Sequence, residues 1–165
     1  MAPTTYTPPI NTYVPLESIV LTNAASSVTF FNIPQDYRDL ILVANVRLTG
    51  ISDIGVRFNN DSGNNYHRVW MAGNGSSASS GLNSPETIGY WAYTTSTSYD
   101  PQILQLFDYS ATDKHKSWLS RYGGASITAG ATAGRWASTS AITSINISLG
   151  TYQSGSTFSL YALHG

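Results

Sequence analysis

An all-β chain is what this sequence predicts: a jelly-roll-like, two-sheet antiparallel β-sandwich with an extended N-terminal arm. Three observations lead there. Apolar and polar residues alternate with a period of two through much of the chain. Clusters of Gly, Asn, Asp, Ser and Pro interrupt that alternation at short intervals. No stretch carries the periodicity of an amphipathic helix of convincing length. Many short strands joined by such turns suit a sandwich or barrel, and the strand count fits a jelly roll.

Residues 1–15 read as the arm. Pro3, Pro8, Pro9 and Pro15 forbid helix and favour polyproline-like geometry. Tyr6, Ile10 and Tyr13 are apolar anchors spaced along it, and they are the candidate interface residues. The domain proper, 16–165, starts at Leu16. Strands are expected near Ile19–Leu21 and Val28–Phe31, before a turn centred on Pro34. In the next, Leu40, Leu42, Ala44, Val46 and Leu48 face a core. Their alternates, Ile41, Val43, Asn45, Arg47 and Thr49, become polar toward the end. Val56 and Phe58 flank Arg57 in the same way. Further strands are placed near Tyr66–Met71, Thr87–Tyr93, Gln102–Tyr109, Lys116–Tyr122 and Ala133–Ser138. The last two carry Ile145, Ile147 and Leu149, then Phe158, Leu160 and Ala162, on one face.

Between them lie turns rich in residues that tolerate left-handed backbone angles, Asn59–Asn65 above all. The run Gly73–Pro85, almost all Gly, Ser, Ala and Asn, reads as a long surface loop. Thr94–Tyr99 and Gly123–Gly134 read similarly, the second with a weak Ala/Thr-rich strand as its alternative. There is no internal repeat.

Composition narrows the function classes. Only 10% of the 165 residues are charged, against about 25% in an ordinary soluble domain, and the formal net charge is −1. A neutral surface of Ser, Thr, Asn and Gly suits copies packing on one another or on sugars. Aromatics at 12%, including 11 Tyr, argue against disorder. Scattered Arg and Lys give no nucleic-acid footprint. No apolar run reaches the roughly 18–20 residues of a membrane span, and residues 1–15 lack the features of a signal peptide. The absence of Cys removes disulfides, thiol nucleophiles and zinc–thiolate sites.

Each catalytic or metal signal has a simpler reading beside it. Asp61 in Asn59–Asn65 could serve calcium, but one carboxylate is a poor set and turn chemistry explains the loop. His67, His115 and His164 lack metal-ligand spacing. Lys114-His115-Lys116, after Asp113, reads as a polar strand entry. Gly124-Ala125-Ser126-Ile127-Thr128 lacks the second Gly of a nucleophile elbow and any helix after it. Gly73–Gly81 has no Lys and no following helix, so it is no phosphate loop. The nine acids are spread over strand ends and turns, which does not point to a glycosidase pair. Trp70, Trp91, Trp118 and Trp136 fill the core or its margins, or else stack on sugars and partners. Adjacent strand residues point to opposite faces, so Arg68 near Trp70 and Arg135 beside Trp136 say nothing about stacking. The sequence therefore points to no catalytic residues, no cofactor and no metal.

Three stretches together resemble a domain of tailed-phage structural proteins, cyanophage capsid decoration and tail-appendage proteins among them. The first is Ala25-Ser26-Ser27-Val28-Thr29-Phe30-Phe31-Asn32-Ile33-Pro34 with Tyr37-Arg38-Asp39-Leu40-Ile41-Leu42-Val43. The second is Val56-Arg57-Phe58-Asn59-Asn60-Asp61-Ser62-Gly63-Asn64-Asn65-Tyr66. The third is Ala141-Ile142-Thr143-Ser144-Ile145 with Gly155-Ser156-Thr157-Phe158-Ser159-Leu160-Tyr161. With Trp118 to Arg121 they touch most of the chain from Ser18 onward. The resemblance implies a virion surface protein, above all a capsid decoration (cement) protein that stabilises the head by adhesion. It implies a homotrimer, because the relatives sit at three-fold positions, with the major capsid protein or another virion protein as partner. It brings no catalytic residues, nucleic-acid contact or membrane contact. The alternative is a receptor- or glycan-binding tip of a tail fibre or spike, which an aromatic platform in a groove would support.

Overall fold

The computed structural model describes residues 12–50, 52–94, 98–124 and 129–164. It is all-β, with no helix among them. Twelve strands run in chain order: β1 Tyr13–Val20, β2 Val28–Phe30, β3 Asp39–Val46, β4 Ser52–Phe58, β5 Tyr66–Gly73 and β6 Ala78–Glu86. Then come β7 Gly89–Thr94, β8 Asp100–Phe107, β9 Lys116–Gly123, β10 Ala129–Trp136, β11 Ile145–Ser148 and β12 Thr157–Leu163. They form two sheets, β1-β12-β3-β8-β9-β10-β5-β6 and β2-β11-β4-β7, with every pairing antiparallel.

The strand order makes the jelly roll explicit. Setting aside the hairpins β5–β6 and β9–β10, eight strands remain as β1-β12-β3-β8 facing β2-β11-β4-β7. The chain crosses from sheet to sheet in the double Greek key of that fold. Both hairpins add to the free edge of β8 and double the width of one sheet.

The alternation of β3 is the reason it holds the centre. Leu40, Leu42, Ala44 and Val46 are buried against Val56, Phe58, Ile145 and Ile147 of the facing sheet. Around Phe58 the rings of Tyr66, Trp118 and Trp136 lie 6.0, 5.8 and 5.6 Å away. Offset and edge-on rings at such distances add to simple burial.

Three boundaries differ from the sequence reading. Tyr13–Pro15, read as the end of the arm, belong to β1, where Pro15 sits opposite Tyr161 beside a register shift. An edge strand tolerates proline because its N–H is not needed by a neighbour. Residues 1–11 of the arm lie outside the described residues. Within Gly73–Pro85, read as a loop, only the turn survives, and Ala78–Glu86 is a strand. Asn74 Oδ1 accepts from the Ser76 and Ser77 amides at 3.0 and 2.8 Å and closes the β5–β6 hairpin. The strand placed at Ala133–Ser138 runs instead over Ala129–Trp136, so the alternative of a strand within Gly123–Gly134 is the observed one. Ala125–Thr128, with the serine of the motif weighed above, lie outside the described residues.

Candidate functional site

Several of the candidate catalytic and metal residues make hydrogen bonds or ring contacts within the fold. Asp61 accepts from Trp136 Nε1 at 2.6 Å, Asn65 Nδ2 at 2.8 Å and the Gly63 amide at 2.8 Å. Both carboxylate oxygens are thus occupied by donors, and Asn59–Asn65 is a turn, with Asn59 and Asn60 at positive φ. Asp39 accepts from Arg38 and from the Asp108 amide, and Asp100 from Thr94 and Ser98. His67 bonds Ser84, and His164 packs edge-on to Tyr37. Among the described residues no three His, Cys, Asp or Glu come together to hold a metal. Lys116, expected as part of a polar strand entry, is fully buried. Its ammonium donates to the Lys114 and Thr139 carbonyls, and burial pushes it below the ordinary lysine range.

Trp91, Trp118 and Trp136 are core, whereas Trp70 is half-buried at the margin. Arg68 does not pair with Trp70. Its guanidinium lies 4.4 Å from the ring centroid of Tyr90 and bonds Asn83 Oδ1 at 3.0 Å.

Of the three interface candidates, Tyr6 and Ile10 lie outside the described residues. Tyr13 opens β1 opposite Leu163, is 55% exposed, and borders a shallow groove of about 570 Å³ on the outer face of the wide sheet. That face is the feature the sequence reading missed. Registers across six strands align Ile41, Gln105, Leu119, Ala133, Val69 and Leu82 in one row. One step along, Val43, Ile103, Arg121, Ala131 and Met71 form a second row. Val69, Met71 and Leu119 are 53%, 61% and 52% exposed. An antiparallel sheet with one solvated face ordinarily turns polar residues outward. Here the outward rows are mostly apolar: Gln105 is the polar member of the first, and Arg121 is the one charge in the two. The signal lay in β3, where Ile41 and Val43 are as apolar as Leu40 and Leu42, a pattern of strands covered on both faces.

No family model matches this chain, and no curated protein matches it. Among solved structures, a protein of unknown function from Shewanella oneidensis MR-1 is similar over 92% of this chain and 75% of its own. The identity is 8% and the TM-score 0.23, too low to carry an argument about fold or role.

Proposed function

We propose that this chain is a non-catalytic virion surface protein, a capsid decoration protein of a tailed phage. In this reading it assembles with copies of itself through the outer face of the wide sheet. The observation that carries the self-assembly is the pair of apolar rows on that face. Exposed apolar patches of more than a few hundred Å² on a soluble protein mark interaction surfaces. The occupant is a second copy rather than a charged partner, because the patch carries almost no charge and the chain's net charge is −1. Identical neutral faces meet without the repulsion that keeps charged monomers apart. The resemblance adds the trimer and the head; attachment to the major capsid protein falls to the N-terminal segment with Tyr6 and Ile10. Many copies, each burying about 1,200–2,000 Å² as stable interfaces do, would stiffen a shell. Linking attachment points through the trimer would strengthen each of them.

Sedimentation velocity tests the assembly. The full chain is expected to sediment as a trimer at micromolar concentration. The double variant Val69→Lys/Leu119→Lys should sediment as a monomer with an unchanged far-ultraviolet circular dichroism spectrum, since both side chains are solvent-facing. A monomeric parent, or a variant that assembles as the parent does, overturns the reading. Attachment has its own test. Deleting residues 1–11 leaves β1 intact from Tyr13, so the sandwich should fold, and incorporation into phage heads should be lost. A truncated protein that decorates heads as tightly as the full chain removes the arm from the proposal.

A further inference from the structure

The two inserted hairpins widen one sheet beyond what the other covers. Edge strand β7 of the narrow sheet lies over β9 and β10, and the inner face of β5 extends past it. A cleft of about 260 Å³ opens there, lined by Asp53 of β4, Tyr93 of β7, Arg68, Trp70 and Ala72 of β5, and Tyr122 of β9.

Two of its rings are laid flat by glycines. Trp70 is register partner to Gly81, and a Cβ on Gly81 would stand 2.8 Å from each of three indole atoms. Tyr122 is partner to Gly130, where a Cβ would stand 2.3 Å from ring carbon and hydroxyl alike. Only residues without a side chain admit rings so close to the neighbouring strand. The result is two rings on one sheet surface, Trp70 over β6 and Tyr122 over β10, with Tyr93 on the opposite wall. At its rim Arg68 Nη1 and Asp53 Oδ1 lie 3.6 Å apart, and the Asp53 side chain is 41% exposed. Burial raises the Tyr122 hydroxyl above the ordinary tyrosine range, and Asp53 adds to the shift, so it stays a neutral donor.

We infer that this cleft binds a neutral saccharide, one hexopyranose unit stacked on Trp70. The C–H face of a pyranose matches an aromatic face, and its ring of hydroxyls needs donors and acceptors at the rim. Asp53 accepts from two hydroxyls, and Arg68 donates. The two charges cancel, which favours a neutral sugar over an acidic one. Clefts for drug-sized ligands run to about 300–1,000 Å³, so this one suits a single ring with its neighbours outside. The inference is independent of the assembly reading, since the cleft is on the inner face of the sheet and the apolar rows on the outer.

The test is saturation-transfer NMR and tryptophan fluorescence on the full chain with cellotetraose, maltotetraose, mannotetraose and chitotetraose. At least one should bind with a Kd near about 1 mM or tighter, with transfer concentrated on one sugar unit. Trp70→Ala should weaken it at least about tenfold, the loss of one stacked ring. Because that change also uncovers Gly81, Asp53→Asn serves as a second variant. It sits at the rim, leaves the Trp70 ring in place, and should weaken binding as well. No transfer from any of the four at about 10 mM overturns the inference. So does equal binding by both variants, or tighter binding of a sulfated saccharide than of these neutral ones.

Discussion

Gly134→Val is expected to destabilise the protein by about 3 kcal/mol, the upper end of what overpacking a core costs. At about 2–4 °C per kcal/mol for a chain of this size, the melting midpoint should fall by roughly 6–12 °C. Gly134 lies in β10 opposite Trp118, and a Cβ there would stand 2.0 and 2.1 Å from two atoms of the indole. The indole has nowhere to retreat. It is 1% exposed, packs edge-on to Phe58 at 5.8 Å, and meets Gly89 of the facing sheet, where another Cβ would stand 2.9 Å away. Trp118 is thus clamped between glycines on both sheets. Gly123→Val is the control, since a Cβ there meets nothing within 4 Å. That change should stay within about 0.5 kcal/mol, as surface substitutions do. Urea unfolding of the two variants decides the matter. Equal effects would mean that strand propensity, not the Trp118 clamp, sets the cost.

The same glycines explain where the sequence was legible and where it was not. β3, β11 and β12 follow from alternation alone, because their inner residues are large and their burial is what selects the strand. β6 is Ala, Ser, Gly, Asn, Pro and Glu with a lone Leu82, and nothing local favours it as a strand. It exists because the Asn74 turn folds it back onto β5 and because Gly81 receives the Trp70 ring, both effects of partners. β10 is similar. Gly130 and Gly134 look like breakers, yet each is a seat for an aromatic ring from β9. Paired glycines four apart, opposite aromatics on a neighbouring strand, are a signal that single-strand periodicity does not register. The cleft was illegible for another reason. Trp70 drew attention by its type, but Asp53, Tyr93 and Tyr122 come from three other strands. Asp53 and Tyr93 are partners across β4 and β7, and the insertion of two hairpins beside β8 sets Trp70 and Tyr122 against them.

Asp61→Ala should cost about 3 kcal/mol, and its effect should depend on pH. The carboxylate gathers Trp136 Nε1, Asn65 Nδ2 and the Gly63 amide, while the Asp61 carbonyl accepts from the Tyr66 hydroxyl at 3.1 Å. That hydroxyl in turn accepts from the Phe58 amide at 3.0 Å, so the turn is pinned to the core at two points. Removing the carboxylate strands the indole N–H of buried Trp136, and an unsatisfied buried donor costs about 1–3 kcal/mol. The lost charge-assisted bonds to Asn65 and Gly63 add to it. Burial by itself would raise the Asp61 carboxyl. The bonds from Trp136, Asn65 and Gly63, with the Arg57 charge, outweigh it and hold the group below the ordinary aspartate range. A carboxyl depressed by folding stabilises the fold in full above its unfolded value of about 3.9. That contribution fades as pH falls through the folded value. The parent should therefore lose stability below about pH 4 more steeply than Asp61→Asn, which has no proton to take up there. Thermal melts of both proteins from neutral pH downward measure the difference. Parallel curves would place the acid sensitivity on another carboxylate.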